Sequence, residues 1–220
     1  MVKPVTGERR PLPRKVFIVE DHPVFRQGLI HMLNNEPGLS VCGHAVDAGT
    51  ALSAICRLKP DVVLVDITLP GKSGLELIRK IRKVDRKVKL LVVSMRDEAL
   101  YANRALRAGG DGYIMKREAS KNIVNAVRDV LAGRIYVSEA VMGAARKLPQ
   151  QCNGKKKTCR LDLLSDAELE TLELVGRGKS RQEIARELGI RVNTVSSRCA
   201  QIRKKLNIDD LQESRRLEMA

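Results

Sequence analysis

Three acids, a serine and a lysine sit at the ends of short apolar runs, and together they have the chemistry to hold a divalent cation and a phosphoryl group. Lys15-Val16-Phe17-Ile18-Val19 ends in Glu20 and Asp21, and Asp61-Val62-Val63-Leu64-Val65 ends in Asp66. Val88-Lys89-Leu90-Leu91-Val92-Val93 ends in Ser94, and Gly112-Tyr113-Ile114-Met115 ends in Lys116. Mg²⁺ is a hard ion that takes oxygen ligands, so Glu20, Asp21 and Asp66 are candidate metal ligands, joined by the backbone carbonyl of Thr68. Mn²⁺ accepts the same donors. A carboxylate can also attack phosphorus and become an aspartyl phosphate, which makes Asp66 the candidate phosphoacceptor. The cation and Lys116 would offset charge on the phosphoryl oxygens, and Ser94 would donate a hydrogen bond to them.

These groups act together only if their runs are neighbouring strands. Continuous apolar runs suit strands buried on both faces of a parallel sheet, whose ligands bind outside the carboxyl ends. The stretches between them carry helical periodicity. Examples are Val24, Leu29, Met32 and Leu33 after His22-Pro23, then Leu75, Ile78 and Ile81, and then Ile123, Val124, Val127 and Leu131. A weaker strand over Val41–Val46 and its following helix complete five strand–helix units. The expected fold class is therefore α/β, a five-stranded doubly wound parallel sheet, flavodoxin-like, followed by a small all-α domain.

The expected organisation is a loose arm over 1–13, the α/β domain over 14–135, a polar and basic linker over 136–161, and a helical domain over 162–220. Ser165-Asp166-Ala167-Glu168 and Ser180-Arg181-Gln182-Glu183 each fit a capping box, and Gly189 stands at a natural helix stop. The formal net charge of +15 over 220 residues points toward a polyanionic partner. Between Arg177 and Lys205 nine bases face only Glu183 and Glu187. A second concentration, Arg79 to Lys89, is expected to be a solvated helix face. The five cysteines have no metal-type spacing and are expected to be free thiols. No stretch approaches the apolar length of a membrane span, and the chain is expected to be cytoplasmic with no membrane partner.

Glu20-Asp21-His22-Pro23, Asp66 through Gly74, Ser94 and Gly112 through Lys116 resemble a two-component receiver domain. Leu164 through Glu170, Gly178-Lys179-Ser180, Glu183-Ile184-Ala185, Leu188-Gly189-Ile190 and Asn193-Thr194-Val195 resemble a LuxR-type helix-turn-helix. The whole chain thus resembles a response regulator of the NarL/FixJ type. The resemblance implies that Asp66 accepts a phosphoryl group from a histidine kinase while Glu20 and Asp21 hold Mg²⁺. It further implies that Ser94 moves toward the phosphate and Tyr113 swings inward behind it, although a half-buried core tyrosine is the alternative at that position. A recognition helix from about Val192 to Leu206 would enter the major groove of double-stranded DNA. Asn193 and Thr194 open it; Ser196, Ser197, Arg198 and Gln201 would face the bases; Arg203, Lys204 and Lys205 would contact phosphates.

Departures from the family pattern are few at the phosphoryl site, where Glu20 replaces a common Asp and Arg117 and Glu118 follow Lys116. They are larger in the helix-turn-helix. Arg191 stands where a capping Ser is usual, leaving Asn193 as a later cap, and Ser196 and Arg198 replace the usual Lys and His. The family's dimerising helix would fall after Asp209, where the apolar stripe is thin, so for a homodimer on phosphorylation this end would be short, altered or supplemented by the receiver. The expected function is a DNA-binding transcriptional regulator switched by phosphorylation. Its alternative is a phosphoryl-relay or protein-sequestering regulator. A phosphohydrolase is disfavoured, because such chemistry wants a second acid where this chain has Thr68.

Overall fold

The structure is a computed structural model that describes residues 12–70, 73–138 and 160–208. Most of the expected arm and linker, Cys152, Cys159 and the segment from Asp209 onward lie outside these residues.

Among the described residues, five parallel strands form one sheet in the order β2-β1-β3-β4-β5. They are β1 (Arg14–Val19), β2 (Leu39–Ala45), β3 (Val62–Val65), β4 (Lys89–Ser94) and β5 (Gly112–Met115). Helices α1 (Pro23–Asn34), α2 (Ala48–Leu58), α3 (Gly74–Val84), α4 (Glu98–Ala108) and α5 (Lys116–Leu131) alternate with them. Apolar side chains on successive strand residues go to opposite faces. Val16, Ile18, Val62 and Leu64 pack with Leu29 and Leu33 of α1 and Ile123 and Val127 of α5. Phe17, Val19, Val63 and Val65 pack with Ile55 of α2, Leu75 and Ile78 of α3, and Ala105 of α4. Each fully buried Val, Leu or Ile contributes roughly 1.5–3 kcal/mol of transfer free energy. Layers on both faces therefore hold the central strands more firmly than their few residues would suggest.

The sheet order places a topological switch between β1 and β3, since the chain leaves β1 toward β2 on one side and β3 flanks it on the other. Val19 is in register with Val65, so Glu20 and Asp66 emerge side by side. The Asp66 N–H donates to the Val19 carbonyl at 3.0 Å. Gly74 closes the loop after β3: a Cβ there would lie 1.9 Å from the Asp66 carbonyl oxygen, and only glycine permits that approach.

The helical part begins with a 3-10 turn, Arg160–Leu163, followed by α6 (Asp166–Gly176), α7 (Arg181–Leu188) and α8 (Val192–Leu206). Both expected capping boxes are formed, at Ser165 with Glu168 and at Ser180 with Glu183. Gly189 ends α7 at φ 62°. The expected later cap at Asn193 is not made. Helix α8 starts at Val192 as expected, but its N-cap is Arg191, two residues before Asn193 and without a side-chain hydrogen bond, so Asn193 lies inside the first turn. Leu174, Val175, Ile184, Ala185, Val195 and Cys199 form a small core between these helices. Leu164, Leu169, Ile202 and Leu206 instead continue the apolar cluster that runs under α3 and α4 of the sheet domain.

Candidate phosphoryl site and DNA-facing helix

The strand-end groups converge as expected. Lys116 is the first residue of α5, and its Nζ donates to Glu20 Oε1 at 2.8 Å and to Asp66 Oδ2 at 2.7 Å. Glu20, Asp66, Ser94 and Lys116 are all buried. The other Asp66 oxygen accepts from the Thr68 N–H at 3.1 Å, and the Lys116 ammonium stands 4.8 Å from the centre of the Phe25 ring. Burial raises the Asp66 carboxyl above the usual carboxylate range, and Lys116 opposes it. Burial works against the Lys116 charge too, but the Asp66 and Glu20 carboxylates outweigh it and hold the amine above its ordinary value. The pocket is therefore a desolvated site in which two acids share one ammonium.

Glu20, Asp21, His22 and Asp66 each bring a ligand atom within 4.8 Å of the others. Three of the four donors are carboxylates, the donor set a hard divalent cation prefers. The buried Oδ1 of Asp21 accepts no well-aligned hydrogen bond, although His22 Nδ1 is 2.9 Å away. His22 also reaches Glu20 Oε1 at 3.0 Å. An acceptor left unsatisfied beside two buried acids fits a cation ligand.

Ser94 and Tyr113 lie behind the acid pocket. Tyr113 already occupies an inward position, fully buried, with its hydroxyl donating to the Arg96 carbonyl at 2.8 Å. Burial pushes its phenol well above the ordinary range, so it remains a donor. The Ser94 hydroxyl accepts from the Arg96 N–H at 3.2 Å.

In α8, Val192, Asn193, Thr194 and Ser197 are exposed, while Val195, Cys199, Ile202 and Leu206 are buried. Gln201 and Lys204 are exposed and Ser196 and Arg203 half-buried. Several candidates are engaged within the chain: the Ser196 and Ser197 hydroxyls donate to the Val192 and Asn193 carbonyls of their own helix at 3.2 and 3.0 Å. Lys205 Nζ donates to Glu168 at 2.6 Å, and the half-buried Arg198 lines a cleft of about 490 Å³ between the two parts of the chain. That cleft is bounded by Asp21, Thr68 and Pro70 on one side and Glu170, Gly189 and Arg198 on the other.

The basic run from Arg79 to Lys89 is only partly the expected solvated face. Arg82 lies between α3 and the sheet, donating to the carbonyls of Gly109 at 2.7 Å and Val88 at 2.5 Å and to Asp111 at 2.6 Å. Lys83, Arg86 and Lys87 remain exposed.

The interface between the two parts was not anticipated. Arg96, in the loop after β4, donates to Glu170 at 2.7 Å and Glu173 at 2.5 Å, while its Nε donates to Thr68 Oγ1 at 3.3 Å. Arg104 of α4 donates to the carbonyls of Leu164 at 2.8 Å and Leu161 at 2.5 Å, and to Asp166 at 3.2 Å. Arg79 of α3 pairs with the other Asp166 oxygen at 2.8 Å. Asp166, Glu170 and Glu173 are spaced i, i+4, i+7, so they form one stripe along α6. That acidic stripe, in a basic chain, was the available sequence signal; the arginines facing it carried none.

Two family profiles match the chain: response regulator receiver domains over residues 16–128, and bacterial regulatory proteins of the luxR family over residues 162–217. The chain is 34% identical over 200 residues to the transcriptional regulatory protein DesR of Bacillus subtilis, covering 90% of this chain and 93% of that one. It is 32% identical over 205 residues to the oxygen regulatory protein NreC of Staphylococcus carnosus, covering 90% and 94%. Among solved structures, a LuxR-family two-component response regulator from Aurantimonas sp. SI85-9A1 is similar at 32% identity and a TM-score of 0.58, over 62% of this chain and 99% of that one.

Proposed function

Since the chain belongs to the response regulators that join a receiver domain to a LuxR-type DNA-binding domain, we propose that Asp66 takes a phosphoryl group from a histidine kinase and that this switches DNA binding by α8. The observation that carries the reading is Lys116, buried and ion-paired with both Asp66 and Glu20 at the carboxyl ends of adjacent strands. In the transfer, an Asp66 carboxylate oxygen attacks phosphorus and the P–N bond of the phosphohistidine breaks. Its electron pair stays on the imidazole nitrogen, which takes up a proton. Lys116 offsets charge on the phosphoryl oxygens, and the Ser94 hydroxyl donates to them. Glu20, Asp21, Asp66 and the Thr68 carbonyl would hold Mg²⁺, or Mn²⁺ in its place, which when bound neutralises the same oxygens.

The position two residues past Asp66 is Thr68, so no second acid stands there to turn over external phosphoesters, and the chain acts as a regulator and not as an enzyme. No helix among the described residues is long and apolar enough to cross a membrane, and a regulator that reads DNA is assigned to the cytoplasm. DNA contact is assigned to the exposed first turn, Asn193 and Thr194, and to Ser196, Ser197, Arg198 and Gln201 at base edges. Arg203 and Lys204 would contact phosphates, as would Lys205 once freed from Glu168. Pairing of two phosphorylated chains would raise affinity for a two-half-site operator.

An electrophoretic shift titration on mixed-sequence DNA at two salt concentrations tests this, with and without a small-molecule phosphodonor and Mg²⁺. Affinity should rise on phosphorylation in the native chain only, not in Asp66→Ala, and should weaken with salt. Loading of Asp66 with no DNA binding under any condition would favour a relay or sequestering regulator.

A further inference from the structure

We infer that Arg96 is a latch that ties the DNA-binding domain to the receiver and is released by events at the phosphoryl site. This deepens the proposed function and rests on it, because it names the residue through which a phosphoryl group at Asp66 reaches α6.

Three receiver arginines hold the acidic stripe of α6, but their backbones differ in what holds them. Arg79 and Arg104 belong to helices α3 and α4. Arg96 sits in the loop between β4 and α4, two residues past Ser94. Its N–H is held by the Ser94 hydroxyl and its carbonyl by the Tyr113 hydroxyl. Its guanidinium also donates to Thr68, whose own N–H holds the Asp66 carboxylate. Every hydrogen-bond partner of Arg96 within the receiver is thus a phosphoryl-site group or one bond from it, while its carboxylate partners, Glu170 and Glu173, belong to the other domain.

Those ion pairs are desolvated, with side-chain exposures of 7% for Arg96, 21% for Glu170 and 13% for Glu173. Charge-assisted bonds in such a setting hold strongly when geometry is right and cost heavily when one partner leaves. A phosphoryl group on Asp66 brings negative charge and acceptor oxygens beside Thr68 and Ser94. The Ser94 hydroxyl turns to those oxygens and draws its loop with it, and the new anion competes with the α6 carboxylates for Arg96. Two sets of anions for one guanidinium make a two-state element, which is the physical requirement for coupling distant sites. Release of α6 also opens the cleft in which Arg198, a candidate base-reading residue, faces Glu170.

The test uses the full chain, with DNA affinity and small-angle X-ray scattering as readouts. Arg96→Ala should expand the unphosphorylated chain and tighten its donor-free DNA binding, with the ratio of closed to open forms falling on the order of a hundredfold. The phosphodonor should then add little. Phosphoryl loading of Asp66, followed by intact mass, should remain possible, because Asp66, Glu20, Asp21 and Lys116 are intact, which separates loss of the latch from loss of the phosphoryl site. Arg96→Lys keeps the charge but not the fork and should fall between. The Glu170→Gln/Glu173→Gln double variant, made on the other domain, should reproduce Arg96→Ala. If Arg96→Ala stays compact and keeps a native donor-dependent gain, the latch is overturned and the proposed function stands. If phosphorylated native chain never binds DNA, the DNA-switching part of the proposed function falls, while scattering still decides the latch. Expansion of the native chain by the phosphodonor, already present in donor-free Arg96→Ala, supports it; a compact Arg96→Ala, or a native chain that the donor leaves compact, overturns it.

Discussion

Replacing Lys116 by Met tests the electrostatic logic of the phosphoryl pocket without touching an acid. Lys116 makes ion pairs of 2.7 Å with both Glu20 and Asp66, and side-chain exposures of 6%, 2% and 3% leave little water to screen the three groups. Removing the cation strands two buried carboxylates that face each other. Losing one partner of a buried pair costs about 3–5 kcal/mol, and the contact with the Phe25 ring adds roughly 0.5–1 kcal/mol. Because burial already pushes the Asp66 carboxyl above the usual carboxylate range, it can take up a proton once the ammonium is gone, and the low end is expected, about 3 kcal/mol. The assay is urea unfolding followed by circular dichroism at neutral pH, reading the receiver transition. Two further arms separate electrostatics from packing. Asp66→Asn in the Lys116→Met background should recover stability, because it removes one of the stranded charges. Mg²⁺ should stabilise Lys116→Met more than the native chain, because the ammonium no longer competes for the same oxygens. A deficit that Asp66→Asn deepens, or one that Mg²⁺ leaves unchanged, would refute the reasoning.

Other consequences are equally direct. Gly74→Ala forces a Cβ to 1.9 Å from the Asp66 carbonyl oxygen, so the loop after β3 must move; phosphoryl loading measured by intact mass should fall at least tenfold, with about 2–3 kcal/mol lost in unfolding. Ser165→Ala removes one half of the α6 capping box and should lower stability by about 1 kcal/mol in thermal unfolding. At Glu168, burial favours the neutral form, but the bonds from Lys205 and Ser165 outweigh it and hold the carboxyl below its usual value of 4.5. Its stabilising effect is therefore present above that pH and lost below it, and the melting temperature of the helical domain should drop as pH falls from 5 toward 3. Lys204→Ala should weaken DNA binding evenly across sequences and flatten the salt slope by about one unit, whereas Arg198→Ala should change which sequences are preferred.

Much of this protein follows from local sequence. Apolar runs ending in Glu20, Asp21, Asp66, Ser94 and Lys116 define the sheet and its site together, because a parallel strand buried on both faces must be apolar along its length and can turn polar only where it ends. Capping serines three residues before Glu168 and Glu183, and Gly189 after α7, set the helical domain by the same short-range means. The tertiary structure alone decided which charges meet. Arg96 and its partners are 74 and 77 residues apart in the chain, and Arg82 left its expected solvated face because Asp111 and two open carbonyls lay within its reach. Arg198 and Lys205, expected only at DNA, face the protein's own acids. A strand end or a cap is fixed by residues within one turn of it, whereas an ion pair goes to whichever opposite charge folding brings within a few ångströms. No local pattern records that choice.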